Sequence, residues 1–140
     1  VPIVLVADND SAVSGLLCSV LARAGLTVRQ AFDGEQARQQ VRDPDVRVLV
    51  CDLDMPKLSG VEVLESMVDL AAPPPAIVVS GFVDEAIQER LARLPHVRLV
   101  LRKPFDLLAF AASVRRCAGL GDDAGGAGGP GAAEKAHGPS

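Results

Sequence analysis

Five short apolar runs, each followed by a longer segment with helical spacing, constrain this chain more than any other feature of its sequence. The runs are residues 3–7, 27–31, 46–51, 76–80 and 97–101. Four are nearly continuous in apolar character, the pattern of parallel strands covered on both faces. The second, Thr27-Val28-Arg29-Gln30-Ala31, alternates and is more polar, which places it at a sheet edge. The segments between them carry helix starts and stops. Asp10 or Ser11 can cap a helix bearing Val13, Leu16, Leu17, Val20, Leu21 and Ala24, with Gly25 as its stop. Asp33 precedes a helix with Ala37 and Val41 that closes near Asp43-Pro44. Ser59 precedes Val61, Leu64, Met67 and Val68, and Pro73-Pro74-Pro75 blocks any continuation. Asp84 precedes Ala86, Ile87, Leu91 and Leu94 ahead of Pro95, and Asp106 opens a last helix through Leu107, Leu108, Ala111, Val114 and Cys117. A βαβαβαβαβα chain of this kind folds as an α/β protein: a doubly wound parallel sheet with right-handed crossovers and helices on both faces.

In such sheets ligands sit outside the carboxyl ends of the strands. Here the first strand ends in Asp8-Asn9-Asp10, the third in Asp52-Leu53-Asp54, the fourth in Ser80-Gly81 and the fifth in Lys103-Pro104. Taken singly each has an ordinary explanation: Asp8 or Asp10 as a helix cap, Ser80 as a turn residue, Lys103 as a surface cation. Taken as an ordered set on one sheet, they give a mouth with several carboxylates, one hydroxyl and one ammonium. Carboxylates so gathered repel one another unless a cation sits among them. Oxygen donors with room for water and a phosphate suit Mg²⁺ better than a soft metal. A lysine supplies a movable charge for phosphate oxygens. The chemistry suggested is phosphoryl transfer to a carboxylate.

With Asp8-Asn9, Asp52-Leu53-Asp54-Met55-Pro56 followed by Ser59-Gly60, Ser80-Gly81, and Lys103-Pro104-Phe105, the chain resembles the receiver domain of two-component response regulators over residues 1–118. The resemblance implies the flavodoxin-like (βα)5 fold with strand order 2-1-3-4-5. It implies Asp52 as phosphoacceptor, with a sensor histidine kinase or phosphotransfer protein as donor. It implies Mg²⁺ held by Asp8, Asn9, Asp52 and the main-chain carbonyl of Asp54. Ser80 and Lys103 would contact the phosphoryl oxygens, and the Lys103-Pro104 bond would be cis. The family also implies that the chain catalyses its own phosphoryl transfer and aspartyl-phosphate hydrolysis, without being an enzyme in the conventional sense. A downstream protein or output domain would read the changed surface. A homodimer through the fourth helix, fifth strand and fifth helix would be compatible with their apolar content.

Two positions depart from the family pattern. Its second N-terminal acid is Asn9 here, which offers a metal an oxygen but no charge, so Mg²⁺ binding is expected to be weaker. The aromatic often found three residues before the lysine is Val100 here, so the usual aromatic readout is missing and Phe82 is the other candidate reporter. These departures raise an alternative: a phosphorylation-independent pseudo-receiver acting as an interaction module. A haloacid-dehalogenase-like phosphatase is a more distant alternative. Asp52-Leu53-Asp54 follows an apolar strand as that family requires, but Met55 follows it and no suitable later acidic pair is present.

Residues 119–140 hold eight of the 13 glycines and read as a flexible linker or tail, with His137 a solvated residue in it. A start at Val1 and a Gly-rich trailing stretch fit either a receiver excised from a hybrid kinase or the front of a longer regulator. A formal net charge of −4 argues against direct nucleic-acid binding, and with no Trp or Tyr and four Phe there is little to stack on bases. No apolar run reaches membrane-span length and no secretory signal opens the chain, so a cytoplasmic location without membrane association is expected. Cys18, Cys51 and Cys117 are too far apart to form a metal pair or disulfide framework and are expected as buried thiols.

Overall fold

The computed structural model describes residues 2–120. Along the chain lie β1 (Ile3–Ala7), α1 (Ser11–Arg23), β2 (Thr27–Ala31), α2 (Gly34–Gln40), β3 (Val46–Asp52), α3 (Gly60–Ser66), β4 (Ala76–Ser80), α4 (Glu85–Ala92), β5 (Val97–Arg102) and α5 (Leu107–Cys117). All strand pairs are parallel and the sheet order is β2-β1-β3-β4-β5. This is the doubly wound arrangement expected from the alternation.

Each α-helix starts on a side-chain cap that the sequence announces. Asp10, Asp33, Ser59, Asp84 and Asp106 each accept main-chain N–H bonds from the first turn of their helix. At α3 the cap is reciprocal, because Glu62 also accepts from the Ser59 N–H at 2.9 Å. Each cap is worth about 1 kcal/mol and fixes the chain direction as it leaves the strand end. α3 is shorter than its apolar spacing suggests, giving way to a 3-10 turn at Met67–Asp69. α5 closes on Gly119, whose φ of +82° allows its N–H to reach Arg116 O and the Leu120 N–H to reach Arg115 O. Capping thus reaches Leu120; the rest of the Gly/Ala-rich stretch, His137 included, lies outside the described residues.

Alternation along the central strands sends side chains into two cores. Leu5, Ala7, Leu49, Cys51 and Val78 pack with Val61, Leu64, Met67 and Leu91 beneath α2, α3 and α4. Val4, Val6, Val48, Val50, Ile77 and Val79 pack with Leu17, Leu21, Phe110 and Val114 beneath α1 and α5. Burying each such side chain contributes about 1.5–3 kcal/mol. Central strands covered on both faces therefore need no polar alternation, whereas edge strand β2 shows it. The run at 97–101, apolar enough to read as an interior strand, forms the other edge, and its burial alternates. Arg47 and Arg98 are skipped in the pairing of β3 and β5, so both strands eject an exposed arginine while the flanking valines and leucine stay buried.

One expectation needs correction. Cys51 is buried, but Cys18 and Cys117 are only half-buried, because they lie on α1 and α5 at the margin of the core.

Candidate functional site

Because every strand is parallel, the carboxyl ends of β1, β3, β4 and β5 open on one side of the molecule, and they bring Asp8, Asp52, Ser80 and Lys103 together. Asp8 has no exposed surface and Asp52 is 6% exposed. The Lys103 ammonium lies 3.2 Å from Asp52 Oδ2 and 3.6 Å from Asp8 Oδ2. Two further bonds hold the carboxylates in place: the Asp10 N–H donates to Asp8 Oδ1 at 2.9 Å and the Asp54 N–H to Asp52 Oδ1 at 3.1 Å. Lys103 is itself held by the backbone. Its N–H donates to Ser80 O at 2.8 Å, and the peptide bond to Pro104 is cis.

The electrostatics follow from this crowding. Burial raises the Asp8 carboxyl above its ordinary value, and the neighbouring Asp52 charge adds to the rise, although the Asp10 N–H and Lys103 oppose it. Burial works against the Lys103 ammonium, yet Asp52 and Asp8 outweigh it and raise its value. Asp8 Oδ2 is buried without a hydrogen-bond partner. A buried carboxylate oxygen with no hydrogen bond, beside a second carboxylate and with only one ammonium nearby, is what a small divalent cation would relieve. The donors are hard oxygens, so the residues present fit Mg²⁺. Among the described residues no three His, Cys, Asp or Glu side chains gather as a metal-binding group. A cation here would therefore rest on two carboxylates and complete its shell with backbone oxygen, the Asn9 amide or water.

The remaining residues expected at the site are placed as follows. Asn9 is exposed beside the mouth. Asp10 is committed to capping α1, accepting from the N–H groups of Ala12 at 2.9 Å and Val13 at 3.2 Å, so it does not substitute for the missing second acid. The Asp54 side chain is exposed and Ser80 is buried. The Ser80 hydroxyl is engaged by the loop that follows β4: Oγ donates to Phe82 O at 3.0 Å and accepts from the Phe82 N–H at 3.3 Å. Phe82 itself is 68% exposed. Val100 is half-buried against the core under α3 and α4.

Sequence reasoning picked out Gly60 in the loop after the third strand but missed Gly34 and Lys57, which also shape the mouth. Gly60 lies so near β3 that a Cβ on it would stand 2.3 Å from Asp52 O, so only glycine lets α3 start this close to that strand. Gly34 stands likewise against the loop after β3, where a Cβ would meet Leu58 O at 2.0 Å, and its N–H donates to Pro56 O at 3.1 Å. Between those contacts Lys57 has φ +74° under a 2.8 Å bond from Leu58 N–H to Pro56 O, a tight γ-turn, and its ammonium lies 3.6 Å from Asp33. Gly34 carried a signal, since like Gly60 it follows a helix cap, where close packing is common.

The curated Response regulator RR06 of Streptococcus pneumoniae serotype 2 (strain D39 / NCTC 7466) is 30% identical over 115 residues, which is 80% of this chain and 51% of that protein. The chain spans about half the length of the curated response regulators it matches. Among solved structures, the receiver domain of the Francisella response regulator 1452 superposes with a TM-score of 0.75 at 26% identity, covering 85% of this chain and 98% of that one. A Burkholderia pseudomallei response regulator with a phosphorylated aspartic acid, calcium ion and citrate shares the fold, with a TM-score of 0.72 at 23% identity, covering 85% of this chain and 69% of that one. The family model of the response regulator receiver domain matches residues 4–115, a span that takes in all of the sheet but Ile3 and every residue of its mouth, and the chain belongs to that family.

Proposed function

We propose that this receiver takes a phosphoryl group from the phosphohistidine of a sensor histidine kinase or phosphotransfer protein onto Asp52. In that step an Asp52 carboxylate oxygen bonds to phosphorus, the P–N bond breaks, and the imidazole leaves with its electron pair, giving an aspartyl phosphate. A carboxylate is a weak nucleophile, so the chain contributes position and charge more than reactivity. The observation that carries this reading is the Lys103 ammonium, 3.2 Å from one acceptor oxygen and 3.6 Å from Asp8. It offsets part of the charge of the two carboxylates at rest and lies within reach of a phosphoryl oxygen afterwards. The N–H of Asp54 holds the other acceptor oxygen. Asp8, Asp52, Asn9 and the Asp54 carbonyl would hold Mg²⁺, which when bound neutralises charge on the carboxylates and on the transferred group. That the Burkholderia response regulator carries a phosphorylated aspartic acid and a calcium ion supports this reading.

Ser80 links the chemistry to the surface. Its hydroxyl is engaged with Phe82 at rest, and contact with a phosphoryl oxygen would cost it that bond and free the loop beyond β4. A two-state surface biased in this way would be read by a downstream protein or output domain, or by a second copy across the α4, β5 and α5 face. Hydrolysis of the aspartyl phosphate by the chain itself would reset it. Among the described residues no helix is long and apolar enough to cross a membrane. Cytoplasmic residence, without direct nucleic-acid contact by this domain, belongs to the same reading.

Incubation with acetyl phosphate and Mg²⁺, followed by intact-mass measurement, tests it. The wild-type chain should gain one phosphoryl group and Asp52→Ala none. A wild-type chain that stays unmodified would instead mark a phosphorylation-independent interaction module.

A further inference from the structure

The loop from Gly81 to Asp84, between β4 and α4, is tied down by two polar contacts from different strands. One is internal: the Ser80 hydroxyl bonded to both the carbonyl and the N–H of Phe82. The other comes from β5, where an Arg102 guanidinium N–H donates to Val83 O at 3.3 Å. Arg102 is the register partner of Ser80, so its side chain starts directly across from the strand end that the hydroxyl closes. It also precedes Lys103, whose N–H holds Ser80 O and whose ammonium contacts both acceptor-site carboxylates. Val83 is buried in the core under α4 while Phe82 is largely exposed, so the loop has a fixed end and a free end. Val100 is half-buried against the core under α3 and α4 and has no polar group to bond the loop.

We infer that Arg102 is a positioning residue that holds the β4–α4 loop in its resting state, doing with a guanidinium–carbonyl bond what no aromatic on β5 does in this chain. The inference rests on the reading of Ser80 as the group that leaves Phe82 when Asp52 is phosphorylated. With the Arg102 bond in place, releasing the hydroxyl from Phe82 leaves the loop still tethered at Val83. Without it, the Val83 side chain stays in the core but the hydroxyl is the remaining polar tether of the two, and the released conformation becomes more populated before any phosphoryl group arrives. Arg102 touches none of the reacting groups, so its effect passes through the loop.

The test uses the chain labelled with fluorophenylalanine, which gives only four ¹⁹F signals, from Phe32, Phe82, Phe105 and Phe110. Addition of beryllium fluoride with Mg²⁺ to the wild-type chain defines the Phe82 position of the switched state. In unliganded Arg102→Ala the Phe82 resonance should lie part-way toward that position, and acetyl phosphate should modify Asp52 about threefold faster, in keeping with loss of one modest hydrogen bond. Arg102→Lys, which keeps a charged donor, should stay close to wild type in both. A Phe82 resonance and a rate unchanged in Arg102→Ala overturn the inference, as does an equal change in Arg102→Lys. If the wild-type chain takes no phosphoryl group at all, the reading of Asp52 fails separately. The resting Phe82 resonance of Arg102→Ala against wild type then decides on the tether alone.

Discussion

Replacing Asp8 by Asn should stabilise the fold and weaken the proposed Mg²⁺ binding at once. Asp8 is fully buried, its Oδ2 has no hydrogen-bond partner, and Asp52 crowds it. A buried charged oxygen in that condition costs about 1–3 kcal/mol. Lys103 at 3.6 Å offsets part of this. An amide keeps the oxygen that accepts from the Asp10 N–H and puts a neutral donor where the unpaired oxygen stood. The net gain in EDTA at neutral pH should be about 1–2 kcal/mol, or about 3–10 °C in Tm for a domain of this size. The pH dependence has a definite sign. Burial, then Asp52, raise the Asp8 carboxyl above 3.8, so its folded form favours the proton. The stability this confers is complete below 3.8 and is lost as pH rises through the higher folded-state value. The advantage of Asp8→Asn should therefore be absent in acid and open as pH rises toward neutrality. Mg²⁺ should reverse the ranking, because ligand at a hundredfold excess over Kd adds about 2.7 kcal/mol to the wild type, whereas the variant has lost one of two carboxylates. Urea titrations in EDTA and in Mg²⁺, repeated across pH, give all three quantities. An Asp8→Asn chain less stable than wild type in EDTA at neutral pH would refute the account of the crowded carboxylates.

Asn9→Asp should raise Mg²⁺ affinity about tenfold by adding a charge at the mouth, measured by calorimetric titration; Asp10 cannot mask the effect while it caps α1. Gly34→Ala should destabilise the chain by about 2–3 kcal/mol in denaturant titration, since its Cβ would stand 2.0 Å from Leu58 O. The same shift should slow phosphorylation by displacing the loop that follows the acceptor. Lys103→Met should slow phosphorylation by acetyl phosphate by about a hundredfold or more, a loss on the scale of removing one charged stabilising group, while far-ultraviolet circular dichroism stays unchanged.

The parts of this molecule that were legible in its sequence are those with a local or periodic cause. The caps at Asp10, Asp33, Ser59, Asp84 and Asp106 each sit just before an apolar helical stripe. β2 announced its edge position because one face of it meets water, so its residues alternate. β5 did not, because its run carries enough valine and leucine to look interior although only alternate residues are buried. The meeting of Asp8, Asp52, Ser80 and Lys103 was legible because parallel strands put their ends on one side. What stayed hidden depends on contacts between distant segments. The turn of the Ser80 hydroxyl toward Phe82, the reach of Arg102 to Val83 and the approach of Gly34 to Leu58 leave no period in the sequence. His96 is another instance: buried, with Nε2 2.9 Å from Leu64 O, it joins the entry of β5 to α3 across 32 residues.

The central claim is that Asp52 receives the phosphoryl group in a pocket completed by a divalent cation and Lys103. Borohydride reduction of the chain after acetyl phosphate treatment converts an aspartyl phosphate to homoserine, which peptide sequencing by mass spectrometry locates. The account predicts homoserine at position 52, dependent on Mg²⁺ and sharply diminished in Lys103→Met. Homoserine at another aspartate, or full conversion at position 52 in EDTA, would contradict it.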